Sequence, residues 1–192
     1  MTIKNINNSN NNLLFKILII IILILFLSGI WTIITYNDLV KEEENVSEKY
    51  AYIQTAYERR ADLIPNLVEI TKGYAKHEND VFTQVAKARN GLLNAQNPDE
   101  LTQADNFLAQ TLKSLFAVTE SYPELKANEN FLKLQDELAG TENRIKTERD
   151  IYNTAVKEYN IQIKTFPTIL IAKMLGFNEK KMFKASKNRN KE

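Results

Sequence analysis

His77 is the only histidine in this chain, and it stands beside Glu78. A zinc-protease helix needs a second histidine four residues on, and position 81 is Val. A di-iron bundle needs Glu-x-x-His pairs, and position 74 is Tyr. Cysteine is absent, so a zinc ion would have only His77 and carboxylates to hold it. The spacing predicts a surface histidine beside a carboxylate, with no metal or other cofactor. Nucleophilic catalysis has no better footing, because no serine lies in an elbow pattern. Gly29, Gly73, Gly91, Gly140 and Gly176 stand alone, so no phosphate-cradling loop is expected. Tyr50, Tyr57, Tyr74, Tyr152 and Tyr159 could line an aromatic cage, but their helical spacing reads as core with hydroxyls reaching the rim. No enzymatic activity and no small-molecule substrate are expected.

One charged motif does ask for a partner. In Arg59-Arg60-Ala61-Asp62, Arg60 falls on a row of apolar residues seven apart: Leu39, Val46, Ile53, Arg60, Leu67, Tyr74, Val81 and Ala88. A charge on a core row must be paired. Glu142, Glu148 and Glu158 lie on the other long helical stretch and are the candidates. The expected role is structural: a buried Arg60–carboxylate pair that sets helix register, as single polar core residues do in coiled coils.

The elements that carry these residues are helical. The first row has companions at Tyr50, Tyr57, Ile64, Val85 and Leu92. A second row reads Phe131, Leu138, Ile145, Tyr152, Tyr159 and Phe166, with Leu134, Val156 and Ile163 beside it. Between them Leu101, Ala104, Leu108, Leu112, Leu115 and Tyr122 follow the same rhythm. Apolar stripes at this period face partner helices, with left-handed supercoiling. Five Gly and four Pro are too few for a turn-rich all-β domain.

The breaks can be read as well. Asn97-Pro98-Asp99-Glu100 is a helix start, with Asn as cap, Pro at the first position and an acid that reaches back. Tyr122-Pro123 ends that helix, Asn128-Glu129-Asn130 caps the next, and Phe166-Pro167 stops it after roughly 36 residues. Pro65 leaves two geometries open. The row runs through it in phase, which favours one long helix lacking the bond to Ala61. The rival is a tight turn near Asp62. Short connections fold the stretches onto each other as an antiparallel up-and-down bundle of three or four long helices.

Composition divides the chain into four zones. Residues 1–12 hold six Asn and one Ser and are expected to be disordered. Residues 13–35 contain the uncharged run Ile17 to Ile34, 18 residues long. At about 1.5 Å per residue it spans roughly 27 Å, close to the hydrocarbon core of a bilayer. Trp31 and Tyr36 suit one interface, and Lys16 can snorkel at the other. A retained single-pass anchor is expected rather than a cleaved signal, given that length and a weak small-residue pattern at Ser28-Gly29. Lys4 and Lys16 before the run balance Lys41 and Lys49 after it, and the α-amine tips the bundle toward the outer side of the cell membrane. Residues 36–177 form the bundle and carry 17 bases against 22 acids. Residues 178–192 carry six bases against two acids. Over the whole chain the charges nearly cancel, so nucleic acid is not an expected partner.

Several runs occur together in order: Arg59-Arg60-Ala61-Asp62-Leu63-Ile64-Pro65-Asn66-Leu67-Val68, Gly73-Tyr74-Ala75-Lys76-His77-Glu78, Ala86-Lys87-Ala88-Arg89, and Tyr122-Pro123-Glu124-Leu125-Lys126-Ala127-Asn128-Glu129-Asn130-Phe131. Glu142-Asn143-Arg144-Ile145, Arg149, Tyr152-Asn153 and Phe166-Pro167 continue the series. With Arg59, Asp62, Pro65, Tyr122, Pro123, Asn128 and Asn130 as its marks, the chain resembles the LemA family of bacterial membrane-anchored proteins over about residues 17–177. The resemblance implies one N-terminal transmembrane segment followed by an α-helical bundle, and it carries over no established enzymatic activity. Two roles are then expected to compete. One is an interaction scaffold or adaptor in the cell envelope, with a protein partner or self-association. The other is lipid sensing or membrane remodelling through the apolar segment Pro167–Phe177 and the basic tail.

Overall fold

The computed structural model describes the backbone of residues 3–184 and the side chains from Leu14 onward. Six helices follow in order: α1 (Ile3–Tyr74), α2 (Asn79–Leu93), α3 (Pro98–Thr119), α4 (Pro123–Lys126), α5 (Glu129–Lys164) and α6 (Thr168–Leu175). No strand occurs among the described residues. The chain divides into two compact units, Met1–Glu43 with Tyr159–Glu179 and Glu44–Glu158 with Lys180–Glu192.

In the first unit α1 is helical from Ile3, through the Asn-rich leader that composition alone marks as disordered. Extending a formed helix costs far less than nucleating one, and the apolar run behind the leader supplies the nucleus. From Leu14 to Ile34 only Thr32 is even half-buried. Thr35 and Leu39 are the first buried positions along the helix. The unit's other buried side chains are Tyr159 and Ile163 on α5, and Ile171 and Ala172 on α6. The Phe166–Pro167 peptide is cis. Gly176 ends α6 in the left-handed region at φ 82°, where a side chain would be strained, and Phe177 N–H bonds back to Ala172 O at 3.0 Å. Phe166 departs from its row: five members of the second row are buried, but Phe166 is exposed. It lies beyond the end of α5, where the period no longer applies.

The second unit is the bundle. Contacts between α1 and α5 run in opposite order: Tyr50 meets Tyr152, Tyr57 meets Arg149, and Tyr74 meets Asn128. The two helices are therefore antiparallel. Likewise Lys72 lies over the Phe82 ring while Arg89 reaches back to Ala61, so α2 returns along α1. Asp105 with Arg149, and Phe116 with Phe131, set α3 antiparallel to α5. Val46, Ile53, Arg60 and Leu67 are all buried, as the row requires.

The caps are formed as the sequence suggests. Asn97 Oδ1 accepts from Glu100 N at 3.0 Å, and Glu100 reaches back to Gln96 N at 2.9 Å. Asn128 Oδ1 accepts from Phe131 N at 3.0 Å. One break is not where the row places it. The series from Leu39 to Ala88 crosses a turn at 75–78, so it belongs to two helices. The polar run Lys76-His77-Glu78-Asn79-Asp80 leaves nothing to bury there, and Tyr74 is exposed. No turn forms near Asp62, and α1 is unbroken through Pro65.

Candidate functional site

The core rows of the bundle carry one polar cluster. Arg60 on α1 is buried, and its Nη1 lies 2.7 Å from Asp105 Oδ1 on α3. Arg149 on α5 donates from Nη2 to the other oxygen of Asp105 at 3.1 Å, and to the Tyr57 hydroxyl. Arg60 Nη2 is also 3.8 Å from Glu142 Oε2. The side chains of Arg60, Asp105 and Arg149 keep 5%, 14% and 19% exposure, whereas Glu142 keeps 71%. One carboxylate thus bridges two largely desolvated guanidinium groups. The Nε atoms of both arginines are buried without an acceptor. Burial pushes the Tyr57 hydroxyl above the usual phenol range, Asp105 adds to that, and Arg149 and Arg60 oppose it. Tyr57 therefore stays protonated at neutral pH.

Of the three carboxylates expected opposite Arg60, the structure brings only Glu142 near it, at the edge of the cluster. Glu148 pairs along its own helix with Arg144 at 3.8 Å, and Glu158 is exposed. The main partner is Asp105, which sequence reasoning did not single out. It had a signal, since it follows Leu101 by four and precedes Leu108 by three, within the α3 stripe. Arg149 had one too, seven residues before Val156 on a companion row.

A second arrangement accounts for Pro65. Proline has no N–H to give the carbonyl four residues back, which strands Ala61 O in the core. Arg89 Nε on α2 donates to that carbonyl at 2.9 Å, and Arg89 Nη2 stands 4.0 Å from Asp62 Oδ1. The motif around Asp62 and Pro65 and the motif ending at Arg89 are thus one contact. Arg59 is exposed, and Tyr122 and Pro123 lie at the start of α4. Asn130 lines an open groove of about 410 Å³ with Leu63, Asn66, Glu69, Lys133 and Glu137.

A third arrangement holds the segment after α6. Asn153 Oδ1 accepts from Phe183 N at 2.8 Å and its Nδ2 donates to Phe183 O at 3.0 Å. A primary amide matches the N–H and C=O that one extended residue presents side by side. Tyr152 OH donates to Lys181 O at 2.9 Å. The buried Phe183 ring lies edge-on to Tyr152 at 5.4 Å, with the Arg149 guanidinium 5.0 Å from its centroid. Lys181 and Lys184 both reach Asp99, at 3.4 and 3.3 Å, and hold its carboxyl below the ordinary carboxylate range. The basic tail is therefore clamped as far as Lys184. Lys187, Arg189 and Lys191 lie outside the described residues. Burial, with Tyr50 adding, pushes the Tyr152 hydroxyl up to about 12.

Among the described residues no group of three or more His, Cys, Asp or Glu could hold a metal ion, and His77 sits exposed in the turn between α1 and α2. Every charged group of the buried cluster is used to join helices. Chemically the arrangement can fix register and clamp a chain segment.

Similarity to known proteins agrees with this picture. Magnetosome protein MamQ 2 of Paramagnetospirillum magneticum is 25% identical over 177 residues, covering 79% of this chain. Magnetosome protein MamQ of Magnetospirillum gryphiswaldense is 23% identical over the same coverage. This chain spans 65% of the length of each of these magnetosome proteins. Protein LemA of Metamycoplasma hominis is 27% identical over 154 residues, covering 78% of this chain and 69% of that protein. The sequence profile of the LemA family matches residues 49–192, most of the bundle and everything after it, and the chain belongs to the LemA family.

Proposed function

We propose that this protein is a single-pass, membrane-anchored interaction scaffold or adaptor of the bacterial cell envelope, with no catalytic chemistry of its own. One observation carries this most directly. The uncharged run Ile17–Ile34 is exposed at every position but the half-buried Thr32 and belongs to α1, a helix long and apolar enough to cross a membrane that continues unbroken to Tyr74. A bundle so tethered acts by presenting helical faces, and its buried charges serve helix pairing. The magnetosome and LemA names of its relatives support a membrane setting. In this reading the bundle lies on the outer side, supported by the α-amine that tips an otherwise even balance of flanking lysines. Its partner is another envelope protein or a second copy. Crosslinking in native membranes followed by affinity capture of the full chain tests the scaffold role, with a reproducible heteromeric or homomeric product expected. Recovery of monomer alone would count against it.

A lipid-directed role is the second reading, and one observation favours it: Phe166, Leu170 and Met174 around α6 are exposed. The basic tail supports it less, because Lys181 and Lys184 are engaged by Asp99.

A further inference from the structure

Several strongly exposed apolar side chains outside the spanning run gather at one place in the first unit. Phe166 is 76% exposed, Leu170 61%, Met174 71% and Leu175 45%. Leu170 and Met174, four apart, lie on one face of α6, and Phe166 stands exposed two residues before the helix begins. The opposite face of α6 buries Ile171 and Ala172, so the helix is seated on its unit by one side only. Single exposed apolar residues need no explanation, but a group of them marks a contact surface. Just beyond Gly176, the Phe177 ring meets Tyr36 edge-on, with centroids 6.0 Å apart at 62°. Tyr36 follows Ile34, the last residue of the uncharged run, by two positions. The apolar group and the aromatic end of the spanning run therefore meet within one unit. Lys173 is exposed next to Met174, so its stem can lie along the group while its ammonium stays among headgroups.

We propose that α6 is an interfacial helix, seated in the headgroup–acyl boundary of the same bilayer that α1 crosses. Its occupant is lipid, because α6 belongs to the same compact unit as the spanning run and the chain leaving it meets that run's aromatic end through Phe177 and Tyr36. The face is thioether, aliphatic and phenyl surface edged by the Lys173 ammonium, the pattern that suits a headgroup–acyl boundary. The proposal rests on the membrane-anchored reading of α1, and the test separates the two.

The chain has no cysteine, so Leu23→Cys, Met174→Cys and Ser114→Cys each give one labelling site for an environment-sensitive dye. Each labelled full-length chain is placed in nanodiscs of phosphatidylcholine and phosphatidylglycerol, brominated either near the ester end or near the chain terminus. An interfacial helix seats its apolar face roughly 5–10 Å into the boundary, so the dye at 174 should lose about half its emission to the shallow bromine. The dye at 23 should be quenched by the deep bromine, and the dye at 114, exposed on α3, by neither. Quenching at 23 with no more loss at 174 than at 114 overturns the α6 proposal and leaves the anchor standing. Absence of quenching at 23 overturns the anchor itself. No partner protein is present in this system, so quenching at 174 also excludes a protein occupant as the cause.

Discussion

Removing the Asp105 carboxylate should be among the most damaging single changes available in the bundle. Its two oxygens accept charge-assisted bonds of 2.7 Å from Arg60 and 3.1 Å from Arg149. Asp105→Ala leaves Arg60 with only Glu142 at 3.8 Å, a solvated partner, and leaves Arg149 with the neutral Tyr57 hydroxyl. Breaking a buried ion pair from one side costs about 3–5 kcal/mol, because an uncompensated charge remains inside. For a chain of this size that corresponds to a fall in Tm of roughly 6–20 °C. Asp105→Asn keeps the shape and one acceptor, so its loss should be smaller. As a control, Glu120→Gln removes a partner from Lys126, a pair whose side chains are both more than half exposed, and should cost about 0.2–1 kcal/mol. Thermal melts of the full chain in nanodiscs, followed at 222 nm, give the comparison. An Asp105→Ala effect no larger than that of Glu120→Gln would refute the idea that the cluster is desolvated and coupled.

The same cluster yields a test of register. Replacing Arg60, Asp105 and Arg149 together with Leu removes all three charges at once, and such replacements are often neutral or stabilising. Stability should therefore survive while register loosens. Tyr50→Cys with Tyr152→Cys reports register, since those rings are 5.6 Å apart and the chain has no other thiol. A short bis-thiol reagent should link this pair efficiently in the otherwise native chain. In the triple-Leu background it should also link pairs displaced by a heptad, such as 57 with 152. A more stable triple-Leu protein that crosslinks only at 50 and 152 would sink the register role.

Three further outcomes follow from contacts outside the cluster. Arg89→Met should cost roughly 1–2 kcal/mol by stranding the Ala61 carbonyl, and most of that cost should vanish in a Pro65→Ala background, where the restored N–H takes the carbonyl back; a double-mutant cycle in urea showing additive effects would disprove the link. Asn153→Ala loses both bonds to Phe183 and should speed tryptic cleavage after Lys181 by roughly 10- to 30-fold, at about 1 kcal/mol per bond, without changing the helical signal; an unchanged cleavage rate would refute the clamp. Tyr152 titrates at about 12 in the fold. Because that value is raised, its contribution to stability is full below the unfolded phenol range near 10 and is lost as pH climbs toward about 12; Tyr152→Phe should flatten that alkaline decline in pH-dependent melts.

What the sequence made legible differs between fold and site for physical reasons. Burial of Leu39, Val46, Ile53, Arg60 and Leu67 follows from period alone, because a helix face is a local property. The caps at Asn97 and Asn128 were equally local, and so was the length of α5. The turn at 75–78 was hidden because the row stays in phase across it. The polar run from Lys76 to Asp80 was the better guide. Phe166 shows the converse limit, since a row names a face but not whether anything covers it. Pairing across helices was the least legible. Arg60 was placed on a core row correctly, yet which carboxylate stands at its level depends on loop lengths and on which helix is its neighbour. That is why the pattern points to Glu142, Glu148 and Glu158 alike and not to Asp105. The clamp on Phe183 was masked by the charge of its surroundings, where one aromatic among lysines was the sole sign.

The rows themselves explain why such a cluster is needed. Sliding α5 by seven residues along its neighbours exchanges Ile145 for Leu138 or Tyr152, so an apolar position meets an apolar one and burial changes little. Hydrophobic matching therefore discriminates poorly between registers. The companion row behaves differently, because it reads Glu142, Arg149, Val156. A slip in one direction sets Val156 opposite Asp105 and leaves Arg60 as its only counter-charge. A slip in the other sets Glu142 against Asp105, two carboxylates in a site that water barely reaches. Either misalignment strands or opposes a buried charge at a cost of several kcal/mol, which is comparable to the whole stability of a domain. Only the observed alignment gives Asp105 both arginines. The polar residues in these rows thus select one bundle out of several that the apolar residues alone would accept, and a bundle with one fixed register presents one fixed set of outer faces to whatever it binds.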